Sequence, residues 1–371
     1  MEREPETLAG TATMIGPHGR GVKPHVNRAT WAALRASRSG VVASDGILYA
    51  THAAEGRKAS REGESVLGLR RIDHVALRVV DVDEAAARWC IQFGLTETLR
   101  DESRALLRCG YEACSLELIA GGKPGFDHQA FELARGVTLG EAASQLERLG
   151  VAHEPNGDAL RLADPDGNGV ELVPARESED VWPDVARSTA ELPGFRPRKL
   201  GHTNFLTGDL GAQTSFYTEV LGMRVTDRLG DEGIWLHVNA DHHVLAFVEK
   251  GYPHFHHLAL EMVDWGELRV AFDHLAQHGR WLAWGPLRHG LGRNLCGYVR
   301  VPEEECFVEI FADMEQLEPD HEPREWPDDA HSSNVWGVRP PRSYFRFDHE
   351  AVESERQGLE ALGIQLNEKG A

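Results

Sequence analysis

Residues 201–206 read Gly201-His202-Thr203-Asn204-Phe205-Leu206, and residues 73–79 read Asp73-His74-Val75-Ala76-Leu77-Arg78-Val79. Both alternate like half-buried strands, and both place a histidine second. The match continues outward. An amphipathic helix over 83–94, with Ala86, Trp89, Cys90 and Phe93 on one face, Asp83 as its cap and Gly94 as its stop, is answered by a helix over 210–222. Strands at 106–109 and 114–119 are answered by 235–238 and 244–248. His128-Gln129-Ala130-Phe131-Glu132 is answered by His257-Leu258-Ala259-Leu260-Glu261, the helix over 138–149 by one over 265–279, and the closing strand 170–173 by 307–311. Self-similarity over this length means a duplicated module. The order of elements predicts an α+β fold of two tandem βαβββ-repeat modules, each made of two βαβββ halves.

This organisation divides the chain into an N-terminal extension (1–68), a first module (69–176), a linker containing Pro and Trp (177–195), a second module (196–314) and a tail (315–371). The extension is rich in Gly, Ala, Arg and Ser. It has room for a short helix over 29–38 and a strand pair over 40–52 with Asp45-Gly46 as its turn. Its role is expected to be a surface wrap or an oligomer contact.

With 371 residues the chain can bury two ordinary cores. A formal charge of −20 opposes a phosphate backbone and an anionic membrane surface. No apolar run is long enough to cross a membrane, and the start, Met1-Glu2-Arg3-Glu4-Pro5, does not look like a secretory leader. The five cysteines fall in no zinc spacing, so a reducing cytoplasm is expected. The nineteen histidines are dense around His237, His242, His243, His254, His256 and His257. That density is a reason to look for a metal.

The doubled arrangement over about 70–315 resembles the vicinal oxygen chelate superfamily, whose modules hold a divalent metal in a cup. Within it, the second module resembles the two-domain extradiol ring-cleavage dioxygenases. Two histidines and one carboxylate leave open positions on a ferrous ion, which O2 activation needs. The resemblance places these ligands at His202, His257 and Glu309, each on a strand. Singly, a strand histidine is more often a core residue and a strand glutamate more often faces solvent. Their joint placement in matching local sequence is what points to iron, or to manganese in its place. The resemblance implies a catechol and O2 as substrates and a homo-oligomer as the assembly.

The same resemblance implies three further groups. His242-His243-Val244-Leu245-Ala246-Phe247 resembles the segment that carries the family's acid–base histidine, which selects His243 with His242 as the alternative. Gly285-Pro286-Leu287-Arg288-His289-Gly290 resembles a loop whose histidine, here His289, bonds a substrate hydroxyl. Tyr298 stands where the family keeps a tyrosine against the catecholate oxygen. In the first module His74, His128 and Glu171 occupy the ligand positions, but Cys114 stands at the place of His243 and nothing answers His289 or Tyr298. They read as structural remnants of a metal site.

Two departures stand out. The turn Val301-Pro302-Glu303-Glu304-Glu305-Cys306 is one residue longer than the usual Asp-Pro-x-Gly-Asn, which the first module keeps at 164–168. It puts the orientation of Tyr298 in question. In the tail, Glu322 to Asp329, Val335-Trp336-Gly337 and Pro340-Pro341 resemble the lid of arylacetate-type enzymes. Ser332 and Ser333 stand where that branch has basic residues, which implies a neutral catechol unless Arg288 or Arg293 turns inward. Other readings are a 4-hydroxyphenylpyruvate-type dioxygenase, a glyoxalase-like isomerase, or a metal-free protein that binds a small molecule in the same cup.

Overall fold

The computed structural model describes residues 67–110, 112–176 and 195–345, with a few isolated positions beyond. The helix and strand pair expected within 1–68, and nearly all of the linker, lie outside the described residues. The first module runs β1 (Leu69–Val79), α1 (Val82–Phe93), β2 (Thr96–Arg100), β3 (Arg104–Arg108), β4 (Leu116–Ala120), then β5 (Gly125–Leu133), α2 (Leu139–Arg148), β6 (His153–Asn156), β7 (Ala159–Ala163) and β8 (Gly169–Val173). The second repeats the pattern: β9 (Lys199–Thr207), α3 (Leu210–Ser215), β10 (Arg224–Leu229), β11 (Gly233–His237), β12 (Leu245–Glu249), then β13 (His254–Glu261), α4 (Trp265–Gln277), β14 (Leu282–Arg288), β15 (Leu295–Val301) and β16 (Cys306–Ala312). The four βαβββ units are therefore present. In each module two of them join antiparallel through their first strands, β1 with β5 and β9 with β13. The tail adds β17 (Arg324–Trp326), parallel to β10 at the sheet edge, and α5 (Ala330–Ser333).

Local chemistry explains the helix positions. Asp81 caps α1, its carboxylate accepting the Glu84 N–H at 3.0 Å. The cap is thus two residues before the Asp83 expected from sequence, and Asp83 instead sits in the acidic first turn, where the helix dipole favours it. Gly94 ends the helix at φ 70°, and a Cβ there would lie 2.3 Å from the Phe195 carbonyl oxygen. The helix buries Ala85, Ala86, Trp89 and Phe93. The helix expected over 210–222 is instead α-helical only to Ser215 and widens into a π-turn at Phe216–Val220. Thr214 and Thr218 Oγ1 donate back to the carbonyls of Leu210 and Thr214, bonds that disturb a regular helix.

One apolar core runs through both modules, with Leu77, Trp89 and Phe131 from the first and Phe205, Tyr217 and Phe247 from the second. Polar bonds tie the seam: Thr203 Oγ1 donates to Gln129 Oε1 at 2.7 Å, and Gln129 Nε2 donates to the Tyr217 hydroxyl at 2.9 Å. Among the described residues no helix is long and apolar enough to cross a membrane.

Candidate metal centre

Strand register assembles the centre. Paired residues on adjacent strands present side chains to the same face. His202 on β9 pairs with Ala259 on β13, Ala259 pairs with Glu309 on β16, and Glu309 pairs with Tyr298 on β15. One row across four strands therefore reads His202, Ala259, Glu309, Tyr298. His257 lies two residues before Ala259, on the same face. His202 and Glu309 are two strand spacings apart, roughly 10 Å, and the small Ala259 between them leaves room for their side chains to converge. His202 Nε2 lies 3.1 Å from Glu309 Oε2, and His257 Nε2 lies 3.2 Å from the same oxygen. All three side chains are buried.

The hydrogen-bond network shows what this cluster requires. His256 Nε2 donates to the Tyr344 carbonyl at 2.8 Å, so its Nδ1 is left to accept from His257 Nδ1, 2.8 Å away. That bond leaves a lone pair on His257 Nε2, aimed at a carboxylate oxygen. Two acceptors at 3.2 Å repel unless a cation lies between them. Asn294 Nδ2 donates to Glu309 Oε1 at 2.7 Å, fixing the carboxylate from behind. Burial opposes ionisation, yet the facing imidazoles of His202 and His257 hold the Glu309 carboxyl well below the usual carboxylate range. Burial pushes His257 down to about 4, so it stays neutral and able to ligate. The donor set, two imidazoles and one carboxylate within 4.8 Å, fits a divalent ion. His289 and Cys296 also approach Glu309. Burial raises the Cys296 thiol well above its ordinary value, so it remains protonated and a poor ligand.

A cavity of about 330 Å3 opens over the triad and is also lined by His243, His289 and Tyr298. His243 faces it, while His242 lies wholly buried behind. His242 Nε2 donates to Asp227 Oδ2 at 2.9 Å, and His243 Nδ1 lies 3.0 Å from His242 Nδ1. This relay leaves Nε2 as the basic nitrogen of His243. Asp227 is itself held by Arg324 and by Trp326 Nε1, so β17 of the tail braces the relay. His289 follows strand β14, which takes in Gly285 to Arg288, so most of the expected loop is strand. Its Nδ1 donates to the Ser333 carbonyl at 2.6 Å, and its Nε2 accepts from the Tyr298 hydroxyl at 2.8 Å. Gly290 lets the tail come this close, since a Cβ there would lie 2.4 Å from the His331 carbonyl oxygen.

The longer turn does not displace Tyr298. Pairing from Leu295↔Ala312 through Tyr298↔Glu309 to Val301↔Cys306 is unbroken. The extra residue is absorbed in a 3-10 turn at Pro302–Glu304, with Glu305 at φ 53°. The remaining walls are aromatic: Trp284 stacks on Tyr298 at 5.5 Å and 15°, and Tyr344 meets both rings edge-on. Neither arginine flagged in the sequence lines this cavity. Arg288 donates to the Arg293 carbonyl and pairs with Asp313, and the Arg293 side chain is 65% exposed. The lining cations are Lys250, 3.3 Å from Glu232, and Arg339, against the carboxylates of Glu232, Asp328 and Asp329.

Residues 199–305 match the Glyoxalase/Bleomycin resistance protein/Dioxygenase superfamily. The chain is 28% identical over 298 residues to Metapyrocatechase 2 of Cupriavidus necator, covering 74% of this chain and 91% of that protein. It is 25% identical over 235 residues to the biphenyl-2,3-diol 1,2-dioxygenase of Paraburkholderia xenovorans strain LB400, covering 57% and 78%. Among solved structures, the 2,3-dioxygenase LapB from Pseudomonas sp. KL28 superposes with a TM-score of 0.63 at 25% identity, covering 71% of this chain and 99% of that one. The first module keeps its own cluster: His74 Nε2 is 3.2 Å from His128 Nε2, which is 3.4 Å from Glu171 Oε2. Sequence reasoning missed Asn294, His256 and the His242–Asp227 relay. The adjacent pairs His242-His243 and His256-His257 were the available signal.

Proposed function

We propose that this protein is an extradiol dioxygenase that opens the ring of a neutral catechol with O2, using Fe(II) held by His202, His257 and Glu309. The observation that carries the reading is the joint geometry: an open three-ligand set at the floor of an aromatic cavity, with two neutral, relay-fixed histidines on its walls. When bound, the ferrous ion supplies the electronic contact between catecholate and O2. The residues supply positioning and proton transfer. Burial lowers His289, so it is neutral at the start, and its Nε2, now bonded to Tyr298, accepts a catechol hydroxyl proton. Tyr298 then offers its hydroxyl to the oxygen so exposed. Burial pushes His243 well below its ordinary value. It therefore meets O2 as a neutral imidazole, and it gains and returns a proton at Nε2 while Asp227, through His242, stabilises the transient imidazolium. Over the cycle the ring C–C bond breaks, both oxygen atoms enter the product, and no net proton is consumed.

A neutral substrate suits the walls. Ser332 Oγ is turned to the Pro327 carbonyl, and three carboxylates besides Glu309 outnumber the two cations lining the cavity. The relative that acts on biphenyl-2,3-diol, by its name, supports an aryl substituent. The test is metal analysis followed by adding 3-methylcatechol or biphenyl-2,3-diol in air. A ring-opened, visibly absorbing product with one O2 consumed per catechol supports the assignment. A metal-loaded protein that consumes no O2 with any catechol overturns it.

A further inference from the structure

The first module holds a cluster that the chemistry above does not use. Its row across the sheet is the counterpart of the other: His74 pairs with Ala130, Ala130 with Glu171, and Glu171 with Arg161. His128 lies two residues before Ala130. One position differs in a way that changes what the site can hold. Ala76 pairs with Glu117 on β4, whereas the corresponding pair in the second module is Asn204 with Ala246. The first module thus places a carboxylate where the second has a methyl group. Glu117 Oε2 lies 3.6 Å from His74 Nε2 and 3.9 Å from His128 Nε2, so these three ligand atoms lie within 4.8 Å of one another, while Glu171 Oε2 lies 3.4 Å from His128 Nε2 on the other side. Tetrahedral zinc with bonds of about 2.0–2.2 Å separates its ligand atoms by roughly 3.3–3.5 Å.

Each group is already oriented from behind. His74 Nδ1 donates to the buried Asp73 at 2.8 Å, and His128 Nδ1 to Asp127 at 2.9 Å. Arg161 NH1 carries two hydrogens and lies 2.9 Å from His128 Nδ1 and 3.1 Å from Glu171 Oε1, while its NH2 donates to Asp127. Asn156 Nδ2 donates to Glu171 Oε1 at 2.8 Å, and Arg104 to Glu117 Oε1 at 3.4 Å. With the His74 Nδ1 proton so used, its Nε2 lone pair faces His128 Nε2 at 3.2 Å beside the Glu117 carboxylate. A carboxylate–histidine pair behind each ligand is the arrangement that orients imidazoles on a metal.

We propose that the first module binds a second divalent ion of the zinc class through His74, Glu117 and His128, with the Glu171 carboxylate beside His128. Glu117 takes the position that Ala246 leaves free in the second module, and Cys114 stands in the place of His243, so the ion's role is structural. The two carboxylates balance the ion's charge, and the site stands apart from the chemistry of the second module. The test is elemental analysis of the full chain reconstituted with Zn2+, then freed of loosely held metal. Wild type is expected to retain two ions per chain, His128→Gln one, and His257→Ala one. Fe(II)-loaded His128→Gln is expected to keep ring-cleavage turnover within about twofold. Should His128→Gln fail to fold, Glu117→Gln serves instead, competing at least tenfold less well against a zinc chelator for the first-module ion. A single ion in wild type, two ions retained by His128→Gln, or unchanged competition by Glu117→Gln overturns the proposal, and leaves His74 and His128 sharing a hydrogen bond.

Discussion

Replacing Arg88 with Met tests how the altered turn before Glu309 is used. Arg88 on α1 of the first module gives NH2 and NH1 to Glu304 at 2.6 and 3.0 Å. Glu304 lies in the 3-10 turn at Pro302–Glu304 of the second module, and its side chain is 1% exposed against 5% for Arg88. Beside them Arg280 pairs with Glu303 at 2.7 Å. Removing the guanidinium leaves a carboxylate buried without its cation, which costs about 3–5 kcal/mol. For a chain of this size that lowers Tm by roughly 4–6 °C. Removing both partners, as Arg88→Met with Glu304→Leu, should recover most of the loss, since an apolar pair of similar volume is often neutral or better. The pH dependence has a definite sign. Burial already raises Glu304 despite Arg88. In Arg88→Met its folded pKa lies further above the unfolded value. The folded state then holds a proton that the unfolded state has lost, so stability falls as pH rises between the two values. The Arg88→Met deficit should therefore be largest above neutrality and shrink in acid. The assay is thermal unfolding from pH 5 to 8.5 for both single variants and the double. A change under about 1 kcal/mol in Arg88→Met, or a double variant no better than the single, would refute the reasoning.

Changing His202, His257 or Glu309 to Ala should remove the catalytic ion, read by iron analysis, and abolish O2 uptake with catechol. His243→Phe should retain iron and bind catechol but turn over about 10²-fold slower or worse, the scale of a lost acid–base group; near-normal O2 uptake would assign the role elsewhere. A neutral alkyl- or arylcatechol should exceed 3,4-dihydroxyphenylacetate in kcat/KM by at least about tenfold, a difference of 1.4 kcal/mol. Equal or reversed preference would mean that Lys250 or Arg339 pairs with the substrate carboxylate.

The fold was legible because its repeat unit is carried by buried strands. β1, β5, β9 and β13 sit at sheet centres, so their sequences are constrained on both faces and match between modules. Of the strands that went unread, β2, β6, β10, β14 and β17 lie toward sheet margins, and β2 and β6 expose most of their residues and so carry little alternation; β15 is buried throughout and carries none. The helix cap was misplaced by two residues because Asp81 and Asp83 are equally good caps, and only backbone geometry chooses between them. Asn294 was invisible for another reason: it touches Glu309 from behind, a contact between residues fifteen apart in sequence, which no local pattern records. Lys250 and Arg339 were missed in the same way, since the tail folds back over the cavity and brings Arg339 to its rim.

The two modules put the same His–Ala–Glu row to opposite uses, and few positions set the difference. Opposite Glu171 the first module places Arg161, which occupies the carboxylate's second oxygen; opposite Glu309 the second places Tyr298, whose hydroxyl reaches His289 instead. Glu117 fills the first site where Ala246 stands in the second. Cys114, buried and held protonated by burial, stands where His243 lines the cavity. Each change in the first module closes a coordination position or removes a proton carrier. Each counterpart in the second leaves a position open or supplies one. A catechol must take two positions and O2 a third, so restoring a carboxylate at Ala246 should be the most damaging single change that leaves every proposed ligand intact. Ala246→Glu is expected to hold its ion more tightly while losing ring cleavage, and an active Ala246→Glu protein would show that the open position lies elsewhere.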